Sequence, residues 1–415
     1  MPPFTQLFLA ALAIATLLHI WLARRHITHV LAHRDAVPAA FSNEIPLNAH
    51  QKAADYTVTG ARFGLFELAV NTLFLLAWTL GGGVELFDHF WRGIGLGPIL
   101  TGVAVIVSAV FVMGVLELPL VAWHTFAIEQ RFGFNRSTPA LFMADTLKQT
   151  LLSMALGAPL VAVALWLMYA TGPLWWLYLW VVWMSFSLVM MWAYPAFIAP
   201  LFNSFTALED ESLANRIRGL LEKCGFKSQG IFVMDGSRRS GHGNAYFTGL
   251  GANKRIVFFD TLIATLDGAE IEAVLAHELG HFRLKHVIKR MVMMAIMSLL
   301  GLALLGWLVG QPWFYEGLGV STPSHHVALL LFMLAAPVFT FLLNPLMALA
   351  SRKHEFEADA YAAQQTDAKA LITALVKLYR DNANTLTPDP LYSAFHDSHP
   401  PAPVRIGRLS GKVAV

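Results

Sequence analysis

Seven stretches of this sequence stay apolar for close to the length a helix needs to cross a bilayer core, about 20 residues. They run roughly over Phe4–Ala23, Phe63–Leu80, Pro98–Val121, Leu147–Ala170, Leu174–Tyr194, Met291–Val309 and Val327–Ala350. Inside lipid, backbone groups find no water, and a helix is the element that satisfies them from within the same segment. Only 13% of the residues are charged and 56% are hydrophobic, about half the charge of an ordinary soluble domain. The chain therefore reads as a polytopic α-helical membrane protein with seven spans. A net charge of +2 is too small to argue for nucleic acid as a partner.

The basic residues orient the spans. No Lys or Arg precedes the first run, and Arg24 and Arg25 follow it. That is the reverse of a secretory signal, so this run reads as an uncleaved span with its N-terminus outside. The inner loops then carry Arg34, Lys52, Arg62, Arg131, Arg136 and Lys148, and the 200–290 region and the C-terminal tail also fall inside. The outer loops carry only Arg92, which is the asymmetry of the positive-inside rule. A polar loop is expected from the first run to about Arg62. Glu67, Asn71 and Glu117 lie within spans, with His124 near an inner end. Charge is costly in hydrocarbon, so these side chains imply either a hydrated interior or a structural pair such as Glu117 with a neighbouring His. Trp175, Trp176, Trp180 and Trp183 read as interfacial belt and packing.

After the Pro-punctuated exit at 194–203, the text becomes that of an aqueous domain. Leu208–Cys224 is an amphipathic pattern with Leu213, Ile217, Leu220 and Leu221 on one side. Gly230–Asp235, Asn244–Thr248 and Arg255–Asp260 read as strands around a loop at Gly236–Gly243. Then comes EIEAVLAHELGHFRLKHVIKR, residues 270–290, with His277, Glu278 and His281 in the pattern H-E-x-x-H. Helix positions i and i+4 share a face, so His277 and His281 can grip one ion. Glu278 lies about 100° around the helix, next to the open metal position. Two imidazole ligands and a carboxylate base are the zinc-protease arrangement. Asp267 with Glu270 reads as a capping box, and Ile271, Val274 and Leu275 supply an apolar face. The single cysteine, Cys224, excludes a disulfide within the chain and a Cys-based zinc site.

Catalytic zinc usually has a third protein ligand. Ser351–Tyr361, just after the last run, is helix-forming and offers Glu355 and Glu357. Glu355 and Asp359 are spaced i and i+4, which assigns Glu355 to the metal and Asp359 to orienting a ligand imidazole. His354 is expected to be solvated.

These texts together resemble the type I CAAX prenyl endopeptidases, seven-span membrane zinc metalloproteases of the gluzincin group. The resemblance rests on EQRFGFNRSTPALFMADTLKQ, YPAFIAPLFN, FVMDGSRRSGHGNAYFTG, LAHELGHF, SRKHEFEADAYA and SHPPAPVRI. It implies one Zn2+ per chain on His277, His281 and Glu355, seven helices around a large water-filled chamber, and an α+β zinc-protease domain at the cytosolic end. It also implies that Asn244, Ala245, Tyr246 and Phe247 bind an extended peptide, that His399 stabilises the oxyanion, and that Arg405 serves substrate binding and holds the site together. The expected division is five spans in 1–200, the first catalytic part in 201–290, two spans in 291–350 and the second catalytic part in 351–415.

The function that follows is hydrolysis of peptide bonds in a peptide or protein partner, with Glu278 as general base. The family removes the C-terminal tripeptide after a prenylated cysteine. A quality-control protease with non-prenylated substrates and an inactive scaffold or binding module are the alternatives, and an intact Glu278 argues against the last. The membrane is a bacterial inner membrane or that of the endoplasmic reticulum.

Overall fold

A computed structural model describes residues 1–228, 230–248 and 255–411. Residues 249–254 and the C-terminal Val415 lie outside the described residues. Among the described residues, seven helices are long and apolar enough to cross a membrane: Pro3–Ala32, Leu47–Trp78, Pro98–Phe132, Pro139–Ala170, Gly172–Leu201, His286–Leu308 and His325–Gln365.

Several helices run well past their apolar stretches. The first continues to Ala32 and the second begins at Leu47, so the loop expected to reach Arg62 is only the segment 33–46. Ala, Gln, Lys and His are adequate helix formers once outside lipid, and the second helix begins directly after Pro46. The two helices are tied there by Arg34, whose Nε and Nη2 donate to the Asp55 carboxylate at 2.7 and 2.8 Å.

Prolines also set the irregular turns. The fifth span ends in a π turn at Tyr194–Ile198 that contains Pro195. The seventh is interrupted by a tight turn at Phe341–Leu343. Pro345 has no N–H for the Phe341 carbonyl, and its ring crowds that carbonyl. The chain then re-enters helix as Asn344–Gln365, which carries Glu355.

The helical bundle holds a cavity of about 830 Å³ between the first two spans and the C-terminal segment. Gly60, Ala61 and Gly64 keep the facing wall of the second span shallow, and Glu67, Asn71 and His124 line the space. Glu117 is exposed and has no ion pair among the described residues, so the alternative of a Glu117–His pair is not realised. Of the tryptophans, Trp175 is buried and Trp180 donates to the Ala295 carbonyl at 2.9 Å, joining the fifth span to the sixth. At the end of the bundle away from the catalytic part, Asp88 sits on a short helix, Gly83–Ile94. It accepts from Arg92 Nε at 2.7 Å and pairs with His326 Nε2 at 2.6 Å, both Asp88 and His326 being buried.

The catalytic part contains a four-stranded sheet in the order β1-β2-β4-β3. Its strands are β1 (Phe205–Ala207), β2 (Gly230–Met234), β3 (Ala245–Thr248) and β4 (Arg255–Phe259). β2 and β4 are parallel, and the two outer pairings are antiparallel. β1 is an addition to the three strands expected from the sequence. The H-E-x-x-H helix, Gly268–Arg283, packs against this sheet through Ile271, Leu275 and Leu279, with Ile217, Phe258 and Leu375 in the same core. The capping box at its start is formed: Asp267 accepts from Ala269 and Glu270 backbone N–H groups, and Glu270 accepts from the Asp267 N–H.

The loop ahead of β3 is held by the membrane part. Arg239 donates to both Asp145 oxygens at 2.8 and 3.1 Å. The Gly241 N–H donates to the Phe134 carbonyl at 2.9 Å, and Arg136 N–H donates to the Arg239 carbonyl at 3.1 Å. The inner-loop text EQRFGFN thus serves as a backbone clamp on the segment that feeds the edge strand.

Candidate active site

Two helices build the site. Gly280 lies where they touch: a Cβ there would come within 3.0 Å of Ala358 Cα and 3.2 Å of its carbonyl oxygen. The absence of that Cβ lets the helix Asn344–Gln365 lie against the H-E-x-x-H helix and bring Glu355 across to the two imidazoles. His277 Nε2 and His281 Nε2 are 3.2 Å apart. The Glu355 oxygens lie 3.3 Å from His277 Nε2 and 3.4 Å from His281 Nε2.

The donor set fits a metal cation. His277 Nδ1 is 2.8 Å from Asp359 Oδ1, so it carries the ring proton and donates to that carboxylate. His281 Nδ1 is likewise engaged, at 2.9 Å from His286 Nδ1. Both Nε2 lone pairs therefore point at one spot, beside Glu355 Oε2, which is buried and has no hydrogen-bond partner. Three donors converging on one spot are reconciled by a cation between them.

Around this core, Arg405 is buried and directs its guanidinium onto Asp359, with Nε and Nη2 donating at 2.8 and 2.6 Å. Grouped by sequence with the substrate residues, it lines the same cleft but bonds to the carboxylate behind His277. Glu357 turns away from the three donors and pairs with His286 Nε2 at 2.9 Å. His354 is half-buried, less solvated than expected. Its ring stacks on that of His286 with centroids 4.1 Å apart, and its Nδ1 is buried.

Glu278, Asn244, Ala245, Tyr246, Phe247 and His399 line one cleft of about 580 Å³ over the metal-ligand cluster. His399 Nε2 is 3.5 Å from Glu355 Oε1. Asn244 is exposed, and its Oδ1 accepts from the Ala245 N–H at 2.8 Å. Among the described residues β3 pairs on one side only, with β4, so it is an edge strand of the sheet, and its residues line the cleft. Tyr379, Asn384 and His399 line both this cleft and the larger bundle cavity, so the two spaces adjoin.

The electrostatics suit base catalysis. Burial pushes the Glu278 carboxyl up and Glu355 adds to this, while His277, Arg405 and Arg290 pull it partly back. Burial lowers His277, but the Asp359 and Glu355 carboxylates outweigh it and hold the metal-free imidazole up at about 9. His286 and Asn382 were missed in the sequence. Asn382 Oδ1 accepts from the Gly243 N–H at 3.0 Å and so braces the loop before Asn244.

Comparison with known proteins decides the family. Residues 26–204 match the model described as CAAX prenyl protease N-terminal, five membrane helices, and residues 207–413 match peptidase family M48. The "CAAX prenyl protease 1 homolog" of Arabidopsis thaliana is 33% identical over 99% of this chain and 98% of its own length. The chain belongs to peptidase family M48. "CAAX prenyl protease 1" of Saccharomyces cerevisiae is 33% identical over 90% of this chain and 88% of its own length. The crystal structure of S. mikatae Ste24p superposes with a TM-score of 0.92 at 29% identity, covering 99% of each chain. This M48 protein is a multi-span membrane metalloendopeptidase, and its partners are a peptide or protein substrate and the bilayer. The family implies a metal, for which His277, His281 and Glu355 form a ready group.

Proposed function

We propose that the protein is a zinc endopeptidase that cleaves extended peptides entering from the bundle cavity, and that its substrates include prenylated C-terminal tails, as its relatives' names indicate. The observation that carries this reading is the convergence of His277, His281 and Glu355 under a cleft that also holds Glu278 and adjoins the bundle cavity. One zinc per chain, held by these three residues, would polarise the scissile carbonyl and acidify the attacking water toward a pKa of about 7.

The chain's own groups do the rest. The peptide adds as a strand to the free edge of β3, from Asn244 to Phe247, by backbone hydrogen bonds. Backbone pairing tolerates many side chains, so selection falls chiefly to what the bundle cavity admits. Glu278 takes a proton from the attacking water and delivers it to the leaving amine. His399 donates to the oxyanion as the carbonyl becomes tetrahedral. Asp359, itself held by Arg405, keeps the His277 proton on Nδ1. The N-terminus lies outside and the catalytic part, formed by 201–290 and 351–415, lies on the cytosolic side, a reading supported by the concentration of Lys and Arg in the loops on that side.

The test is cleavage of a farnesylated CAAX peptide and its non-prenylated counterpart by the purified chain, with zinc quantified in the same samples. The expected result is one zinc per chain, cleavage of the prenylated peptide and a Glu278→Ala variant that keeps zinc but loses turnover by roughly 10²–10⁴-fold. Equal cleavage of both peptides would remove the preference for prenyl groups, and an active Glu278→Ala enzyme would remove the general base.

A further inference from the structure

We propose that His286 and Glu357 form a hydrogen-bond relay that positions His281 for the metal, a role that rests on the metal reading above. His281 presents Nε2 to His277 and Glu355, so its ring proton lies on Nδ1. That proton is donated to His286 Nδ1 at 2.9 Å. An accepting Nδ1 puts the His286 proton on Nε2, which is 2.9 Å from Glu357 Oε2 and donates to it. The relay thus fixes both tautomers in one direction, ending on a carboxylate that has Lys289 and Lys353 each at 3.9 Å. It does for the second imidazole what Asp359 does directly for the first.

The backbone is shaped for this contact. The H-E-x-x-H helix ends at Arg283, and Lys285 adopts φ 58°, a left-handed conformation that side chains with a Cβ rarely take. That single residue reverses the chain so that His286, the first residue of the sixth span's helix, folds back under His281. His286 is 1% exposed despite standing at a helix start, with His354 stacked on its outer face.

His286, His354 and Glu357 lie close enough together to suggest a second metal group. The ring planes of His286 and His354 differ by only 16°. In-plane lone pairs on near-parallel stacked rings run side by side and do not converge on one ion, so the geometry favours the relay.

The experiment uses the full chain in detergent and reads retention of zinc against a chelator and the visible spectrum of the Co2+-substituted protein. Glu355→Ala tests the underlying metal reading: if it holds metal as well as the parent, that reading fails independently of the relay. Within a metal-binding protein, His286→Phe and Glu357→Leu should weaken retention by roughly 10–100-fold and alter the Co2+ spectrum. Glu357→Gln keeps an accepting oxygen and should restore retention and spectrum close to the parent. The relay is overturned if His286→Phe and Glu357→Leu, folded as judged by an unchanged melting temperature, retain zinc and the parent spectrum. It is also overturned if Gln is as damaging as Leu, or if the parent binds a second Co2+ that His354→Ala removes.

Discussion

Two groups of histidine, aspartate and arginine, each built on a buried histidine–aspartate pair, lie towards opposite ends of the molecule. At the catalytic end, His277 donates to Asp359, which also takes two bonds from Arg405. At the far end, His326 pairs with Asp88, which takes one bond from Arg92. The pairings are chemically alike, and the surroundings differ. His277 turns its second nitrogen towards Glu355, His281 and a cleft. His326 has its second nitrogen buried without a partner, with Gly102 so close that a Cβ there would meet the His326 Cβ at 2.7 Å. A carboxylate clamp on an imidazole is therefore a means of holding a ring still. Reactivity comes from what the free nitrogen meets and whether a cavity reaches it.

The comparison can be pressed from both ends. The largest effect is expected from the double change His277→Leu with Asp359→Leu, which removes a ligand and its clamp. Metal analysis should find the purified protein empty and peptide cleavage at background. Next, Asp359→Ala alone should keep the ligand but lower metal affinity by roughly 10–100-fold, read by chelator competition. An unchanged affinity would reduce the catalytic clamp to the same structural standing as the far one. Gly280→Val comes third: the new side chain meets backbone of the facing helix, costing about 1–3 kcal/mol of stability and loosening Glu355 from the two imidazoles. Thermal unfolding and metal retention should fall together.

The smallest effects belong to the far end. Asp88→Ala should lower stability by about 1–3 kcal/mol, because His326 loses its partner inside the bundle. Metal content and the KM for a peptide should stay at parent values. Replacing both residues, Asp88→Leu with His326→Leu, should recover much of that loss, since a buried polar pair exchanged for apolar side chains is often neutral or better. A far-end variant that emptied the metal site would show the two ends to be coupled.

Much of this was readable before any coordinates. Lipid imposes so strict a rule on the backbone that apolar length alone located all seven spans. The i, i+4 spacing of His277 and His281, and of Glu355 and Asp359, put each pair on one helix face, and the structure brings the two faces together. The helix ends were less legible, because hydropathy reports lipid and not helix: the second helix starts at Leu47, well before its apolar stretch. β1 has three residues, two of them exposed, too short to carry a pattern. His286 was invisible because it stands five positions after His281, off the helical face, and reaches it only through the left-handed turn at Lys285. The Asp88–His326 pair joins residues far apart in sequence, and only the packing of a short helix on the seventh span brings them together.

Glu355 joins His277 and His281 only after the chain has crossed the membrane twice more, through the sixth and seventh spans. A nascent chain that has just finished its H-E-x-x-H helix thus owns two of three donors and no route to the third. The gap closes when the intervening hairpin is threaded into the bilayer and the last helix docks on Gly280. Order of synthesis then acts as a safety catch: the protease is not armed until it is fully installed. Once closed, an ion held by residues from both sides of that hairpin would tie off a long loop, restraining the two spans much as a covalent crosslink does.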